Sequence, residues 1–191
     1  MVQVMYDLAA FTHDLDEVVA GAHDARALVR EGKPFLERLV SDMSWLAPRF
    51  TEPGEGGSVQ YLLHQHPGDA YSVVAVVFRE GYSTPVHDHT TWGLIGLWRG
   101  EEREERFVRA DGESRPDYAR LRSAGTVMNE PGSVTWLIPP DEEIHRIRNM
   151  SPQPSCSIHV YGGNLSGKLR HQFDLETGAV RDFQVTVKVL P

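Results

Sequence analysis

Residues 81–89 read GYSTPVHDH, and together with Gly100 further along the chain they decide the fold. Successive side chains of a β-strand point to opposite faces, so His87 and His89 share one face while Asp88 points away. Two imidazoles on one face can offer ring nitrogens to the same metal ion. The stretch therefore predicts a metal-binding strand.

The spacing of these residues resembles the first motif of the cupins, G-x5-H-x-H-x3-E-x6-G. Gly81, His87, His89 and Gly100 match it in register, but Gly93 stands at the position of the glutamate. Without that carboxylate the ligands are all neutral, so a divalent ion keeps its full charge and attracts anionic groups of a substrate. The resemblance implies a mainly β fold, the cupin double-stranded β-helix or jelly-roll barrel.

His145 is the predicted third metal ligand. It follows an apolar run at residues 134–138 and a turn at Pro139-Pro140, and its H-x3-N spacing to Asn149 matches the second cupin motif. The rest of that motif matches poorly, because Glu142 stands where a glycine is usual. The prediction for His145 therefore depends on its place after the apolar run and turn and on the H-x3-N spacing.

Length, composition and charge indicate work on small molecules. The chain has 191 residues, 40% of them hydrophobic, which is enough for one well-buried domain. Its 19 basic and 27 acidic residues give a net charge of −8, which argues against wrapping nucleic acid. A lone cysteine, Cys156, and the absence of a secretion signal predict a cytoplasmic location. The longest apolar run, near residues 73–78, is too short to span a bilayer.

The pattern of apolar residues changes near residues 48–57. Before this point it predicts two helices within residues 1–50, with Thr12 or Asp14 as the first cap and Gly32 with Pro34 in the gap between the helices. Beyond it, short apolar runs divided by turn residues predict a barrel over residues 57–191. The predicted strands are residues 59–63, 71–78, 91–98, 104–108, 134–138, 155–161 and 180–189. Both segments belong to one predicted cupin domain, residues 1–191.

Two further polar patterns are assigned to the surface. Residues 64–66 read HQH, which is also H-x-H, but they abut a Pro-Gly-Asp turn whose side chains are predicted to face water. Residues 101–106 are a run of charges, which predicts a solvated hairpin.

Ser157, His159 and Tyr161 alternate with apolar residues along the predicted strand 155–161. Burying a hydroxyl, an imidazole and a phenol on one face is costly unless they bond one another. A Ser-His-Tyr chain meets that requirement, and a polar face of a half-exposed strand would give the same alternation. The pattern alone leaves both interpretations open.

Taken together, over roughly residues 60–183, these elements resemble the thiol dioxygenases, the cysteine dioxygenase family of cupins. Its members add both atoms of O2 to a thiol sulfur. The resemblance implies one iron(II) ion per chain, held by the histidines of the two motifs. These are His87, His89 and His145. It also implies a catalytic relay in which Tyr161 donates a hydrogen bond to the reacting oxygen, His159 orients Tyr161, and Ser157 orients His159.

Two departures separate the chain from the mammalian cysteine dioxygenases. The cysteine that crosslinks to the active-site tyrosine is replaced by Gly93, and strand alternation puts Cys156 on the face opposite Tyr161. Gln60 stands where those enzymes have a carboxylate-binding arginine, which resembles the bacterial branch typified by 3-mercaptopropionate dioxygenase. In that branch a later arginine binds the substrate carboxylate, and Arg170, in a segment expected to be a Gly-rich loop, matches it.

The resemblance implies an iron(II)-dependent dioxygenase that oxidises a small carboxylated thiol, 3-mercaptopropionate, to its sulfinate. The site residues it implies are Gln60 and Arg170 for the substrate, with the three histidines and the relay. The alternatives are L-cysteine as the substrate, or a cupin without oxygenase activity that isomerises, cleaves or binds a small acid. The expected partners are a small thiol and O2, with no nucleic acid and no membrane. The oligomeric state is left open.

Overall fold

The computed structural model describes residues 5–112 and 115–190. Within them the chain forms two α-helices followed by eleven strands in two sheets, so the predicted order of a helical segment and then a β-barrel is confirmed. The helices are α1 (Leu8–Gly21) and α2 (Ala25–Ser41), with a 3-10 turn at Pro48–Phe50. The strands are β1 (Ser58–Gln65), β2 (Tyr71–Phe78), β3 (Val86–His87), β4 (Gly93–Arg99), β5 (Glu102–Arg109), β6 (Leu121–Asn129), β7 (Val134–Leu137), β8 (Ile144–Asn149), β9 (Ser155–Gly162), β10 (Arg170–Phe173) and β11 (Val180–Phe183).

The strands form two sheets whose inner faces pack against each other. The five-stranded sheet has the order β1-β2-β9-β4-β7 and the six-stranded sheet the order β11-β10-β3-β8-β5-β6. Inward side chains of the first, such as Val76 and Ile95, share an apolar cluster with Ile147 of the second. The paired strands run antiparallel throughout these ladders. This is the predicted cupin double-stranded β-helix.

The two helices cover the outer face of the five-stranded sheet. Leu36 and Val40 of α2 are buried against β4, where a side chain at Gly96 would put its Cβ 2.9 Å from Val40 Cγ1. Glycine at this position lets α2 approach the strand closely. Neither helix of the described chain is long and apolar enough to cross a membrane.

The predicted helix boundaries are partly wrong. Asp7 caps α1, accepting a hydrogen bond from Ala10 N at 3.0 Å, whereas Thr12 and Asp14, the predicted caps, lie inside the helix. Asp24 caps α2 in the same way, so the gap between the helices is residues 22–24. Gly32 and Pro34 were predicted in that gap but lie within α2, where Gly32 is buried against Leu94 of β4 and Pro34 is on the exposed side.

Three strands were missed and one was predicted too long. β6, β8 and β10 are rich in polar residues, and β10 is the segment that was predicted to be a Gly-rich loop. β11 ends at Phe183, well before the predicted end at residue 189. Pairing with neighbouring strands fixes these segments, and a single sequence carries little signal for such non-local contacts.

Candidate metal centre

Three histidine side chains converge inside the barrel. His87, His89 and His145 are all buried, and one ring nitrogen from each lies within 4.8 Å of the others. The Nε2 atoms of His89 and His145 are 3.0 Å apart. His87 on β3 and His145 on β8 are direct register partners, so strand pairing holds two of these imidazoles side by side. The structure thus brings together the three predicted ligands.

Two of the three rings are oriented by acceptors on their far side. His87 Nδ1 donates to the carbonyl of Pro85 at 2.9 Å, and His145 Nδ1 donates to the carboxylate of Glu104 at 3.0 Å. A hydrogen bond at Nδ1 fixes the tautomer and leaves the Nε2 lone pair free. Both rings therefore present a donor atom to a metal in the space between them.

The third ring lies just beyond the end of β3, and its loop is held by a carboxylate. Glu143 Oε2 accepts hydrogen bonds from the backbone N–H groups of His89, at 3.1 Å, and Thr90, at 2.6 Å. Thr90 has a φ of 56°, which is uncommon for a β-branched residue. Asp88, between the two ligands, points away as predicted and accepts from His171 Nδ1 at 2.6 Å. These contacts set the direction of His89.

Burial keeps the imidazoles of His87 and His89 suited to metal binding. It lowers the pKa of His87 and of His89 well below the usual histidine value, and the neighbouring histidines and Arg170 lower both further. Neutral imidazole is the form that ligates metals. The fit to a divalent ion is therefore good in both geometry and protonation.

Arg170 contacts the same cluster from β10. Its guanidinium Nη1 donates to His89 Nδ1 at 3.0 Å and its Cζ lies 4.7 Å from the centre of the Phe183 ring. The residue is only 2% exposed, and its Nε has no hydrogen-bond partner among the described residues. A buried donor without an acceptor is costly, so this guanidinium can donate a further hydrogen bond to a group bound in the cavity.

The predicted Ser-His-Tyr chain is present on the inner face of β9. Ser157 Oγ lies 2.8 Å from His159 Nε2, and His159 Nδ1 lies 2.6 Å from the Tyr161 hydroxyl. The Tyr161 ring stacks on His89 with a centroid distance of 5.1 Å. Burial, followed by the charge of His145, lowers the pKa of His159 to about 3, so this imidazole is neutral at pH 7. The buried, bonded chain excludes the alternative of a half-exposed polar face.

Gly93 and Cys156 lie as the sequence predicted. A Cβ at Gly93 would sit 3.0 Å from the Tyr161 ring, so the tyrosine occupies the room that a glutamate or cysteine side chain would need. Cys156 is buried against the helices on the outer face of β9, in a different cluster from Tyr161. Burial raises the pKa of this thiol to about 12, so it stays protonated.

The three histidines, Tyr161 and Arg170 line one cavity of about 180 Å³ between the sheets. Gln60 of β1 also lines this cavity. Gln60 Oε1 is buried without a hydrogen-bond partner among the described residues. No Asp or Glu belongs to the described lining of this cavity.

The prediction of a solvated hairpin at residues 101–106 is wrong for two of its carboxylates. Glu102 and Glu104 of β5 are 1% and 0% exposed and point into the barrel, where Glu102 accepts from Ser155 Oγ at 2.6 Å. Alternation of these two glutamates with their neighbours along a strand was the available signal. The high charge of the whole run instead led to the prediction of a solvated hairpin.

The second H-x-H does not form a metal site in the described part of the chain. His64 and His66 pack their rings near Tyr71, with centroid distances of 5.6 and 5.2 Å. His66 Nδ1 accepts from the backbone of Gly68 in the predicted turn. Among the described residues, the histidines on β3, its following loop and β8 form the candidate metal cluster.

No protein-family model matches the chain. Its fold is similar to several solved structures at low sequence identity. A double-stranded β-helix protein of Klebsiella pneumoniae has a TM-score of 0.45 and 13% identity over 64% of this chain and 87% of that one. A cupin domain of a transcriptional regulator from Enterobacter cloacae has a TM-score of 0.38 and 14% identity over 56% and 98%. An oxalate oxidase has a TM-score of 0.43 and 16% identity over 59% and 56%.

Proposed function

We propose that the protein is an iron(II)-dependent thiol dioxygenase that converts a small carboxylated thiol, 3-mercaptopropionate, to its sulfinate. The observation that carries the proposal is one cavity lined by three buried histidines, the hydroxyl of Tyr161 and the guanidinium of Arg170. Thiol and O2 combine with no other reactant to give the sulfinic acid, so no further cofactor site is required.

The three histidines would hold the metal through their Nε2 atoms. Imidazole suits iron as well as zinc, copper or nickel, so the choice of iron comes from the proposed chemistry and not from the ligands. Iron(II) bound there supplies open positions for thiolate and O2, and its charge favours loss of the thiol proton.

Arg170 is suited to bind the substrate carboxylate. When Nε2 of His89 binds a metal, the ring hydrogen resides on Nδ1, so Nδ1 can no longer accept from Arg170 Nη1. The guanidinium then needs a new acceptor, and its Nε already lacks one among the described residues. A carboxylate accepts from two guanidinium N–H groups at once and is the strongest such partner.

The Ser157-His159-Tyr161 chain sets the direction of the tyrosine hydroxyl. If the Ser157 hydroxyl donates to Nε2 of the neutral His159, then Nδ1–H donates to the Tyr161 oxygen. The Tyr161 hydrogen is then free to donate into the cavity. A donor fixed in this way stabilises negative charge that develops on oxygen during the reaction, and it is costly to remove.

The cavity favours an acid thiol without an amine. Among its described lining residues Arg170 is the one fixed cation, and Gln60 is neutral. Because no Asp or Glu is among those residues, the ammonium group of cysteine would find no counter-charge. The carboxylate of 3-mercaptopropionate needs only the arginine.

The test is oxygen consumption by the iron-loaded protein with a panel of thiols. We expect the highest kcat/KM with 3-mercaptopropionate, a lower value with L-cysteine, and a low value with cysteamine. A preference for L-cysteine would overturn the substrate assignment. Stoichiometric metal without oxygen uptake from any thiol would instead favour a cupin of another activity.

A further inference from the structure

Glu104 is a buried carboxylate whose place next to the metal centre has no counterpart in the motifs. It lies on β5, is 0% exposed, and accepts a hydrogen bond from His145 Nδ1 at 3.0 Å. Its other contact is Arg106, whose Nη2 lies 3.1 Å from Oε1 and 3.3 Å from Oε2. Both contacts present positive or polarised N–H groups to the carboxylate.

An ion pair places the Glu104 carboxylate inside the barrel. The guanidinium of Arg106 lies 3.1 Å from the same oxygen, Oε1, that accepts from His145 Nδ1. Arg106 is itself anchored, since its Nη2 also donates to the Trp136 carbonyl at 3.0 Å. A fixed negative charge therefore lies one imidazole away from the position of the metal.

We infer that Glu104 is a positioning and charge-tuning residue of the metal centre, and that it replaces through His145 the charge missing where Gly93 occupies the glutamate position. The inference rests on the proposed three-histidine metal site. A carboxylate on the far nitrogen of a ligating imidazole fixes the ring and increases its basicity as a ligand. The effective charge at the metal is then lower than three isolated neutral histidines would give.

Arg106 acts in the opposite direction. Its guanidinium shares the carboxylate with His145, so it offsets part of the negative charge that Glu104 places on the ring. Removing Glu104 and removing Arg106 should therefore move the metal centre in opposite directions. A merely structural role would not give opposite signs.

The experiment compares zinc affinity and iron midpoint potential in four proteins: wild type, Glu104→Gln, Arg106→Gln and a control, Glu105→Gln. Zinc affinity is measured by competition with a chromophoric chelator, and the Fe(III)/Fe(II) potential by redox titration. The Glu104→Gln side chain keeps the shape and can accept from His145, but it carries no charge. Glu105 of the same strand bonds Arg146 at 2.6 Å and is partly exposed, so its substitution removes an equal charge away from the cavity.

We expect Glu104→Gln to weaken zinc binding about 10- to 100-fold and to make the iron potential more positive, because the anion that stabilises Fe(III) is lost. Arg106→Gln should leave zinc binding equal or tighter and make the potential more negative. Glu105→Gln should match wild type in both.

Equal zinc affinity and equal potential in Glu104→Gln and wild type would overturn the inference, and so would a positive shift in Arg106→Gln. If Glu104→Gln does not fold, the sign of the shift in Arg106→Gln decides alone. Failure of the wild-type protein to bind zinc or iron would instead overturn the metal site on which the inference rests.

Discussion

The two faces of strand β9 differ in what they bury and in what holds them. The outer face packs against the helices through apolar side chains, which are Cys156, Ile158 and Val160. The inner face carries polar side chains joined to one another or to β5, which are Ser155, Ser157, His159 and Tyr161. Both faces are buried to the same degree. The same strand therefore serves the apolar core with one face and the candidate metal centre with the other.

Burial alone therefore does not identify the apolar core of this protein. Apolar burial stabilises by about 25 cal/mol per Å², whereas a buried polar group is tolerated only when it is bonded. Two of the buried atoms without a hydrogen-bond partner among the described residues, Gln60 Oε1 and Arg170 Nε, belong to residues lining the cavity. We therefore expect changes on the inner face to affect binding and chemistry, and changes on the outer face to affect stability.

The largest expected effect is on the inner side. His145→Ala should abolish stoichiometric iron and oxygen uptake together, because two imidazoles cannot hold the ion as three do. Metal analysis after iron loading and an oxygen electrode measure both. The matched control is His64→Ala in the other H-x-H, which should keep full iron. Iron retained in His145→Ala, or lost in His64→Ala, would show that the ligand assignment is wrong.

A truncation on the outer face should lower stability and leave iron binding near wild type. Ile158→Ala removes a fully buried side chain from the helix-facing cluster and should lower the free energy of unfolding by about 2–5 kcal/mol. Denaturant unfolding of the metal-free protein measures this loss. The iron content and KM of the folded variant should stay near wild type. A loss of iron at unchanged stability would break the distinction between the two faces.

The buried carboxyl group of Glu102 on the inner side predicts a pH dependence of stability. Burial raises the pKa of Glu102 to about 7, so the group favours folding below its unfolded pKa near 4.5 and loses that contribution as the pH rises to 7. Glu102→Gln removes this titration, and the variant should gain stability relative to wild type across this window, on the order of 3 kcal/mol at pH 8. Urea unfolding of both proteins from pH 4 to 8 measures the difference. A difference that does not change with pH would refute a neutral buried Glu102.

The smallest expected effect is confined to one class of substrate. Arg170→Ala should lower kcat/KM for 3-mercaptopropionate about a hundredfold, the scale of a lost charge-assisted contact. For cysteamine, which has no carboxylate, kcat/KM should change little. Iron content serves as the control, because Arg170 also contacts His89. Equal losses for both thiols at unchanged iron would remove the carboxylate role from Arg170.

The fold and the shared face of His87 and His89 could be predicted because their signals are local, whereas His145 was predicted from the resemblance of its segment to the second cupin motif. Alternation along a strand placed His87 with His89 and separated Cys156 from Tyr161, and a buried apolar run identified β2. The contact of Arg170 with His89 and the inward turn of Glu104 depend on strand pairing between distant segments. Residues in such pairs look like surface charges until the partner strand is known.

The most direct test of the central claim is the fate of oxygen in the product. The iron-loaded protein is given 3-mercaptopropionate under labelled ¹⁸O2 in unlabelled water, and the product is analysed by mass spectrometry. The account predicts the sulfinate with both of its oxygen atoms labelled. A disulfide, a sulfinate with oxygen from water, or unchanged thiol would contradict it.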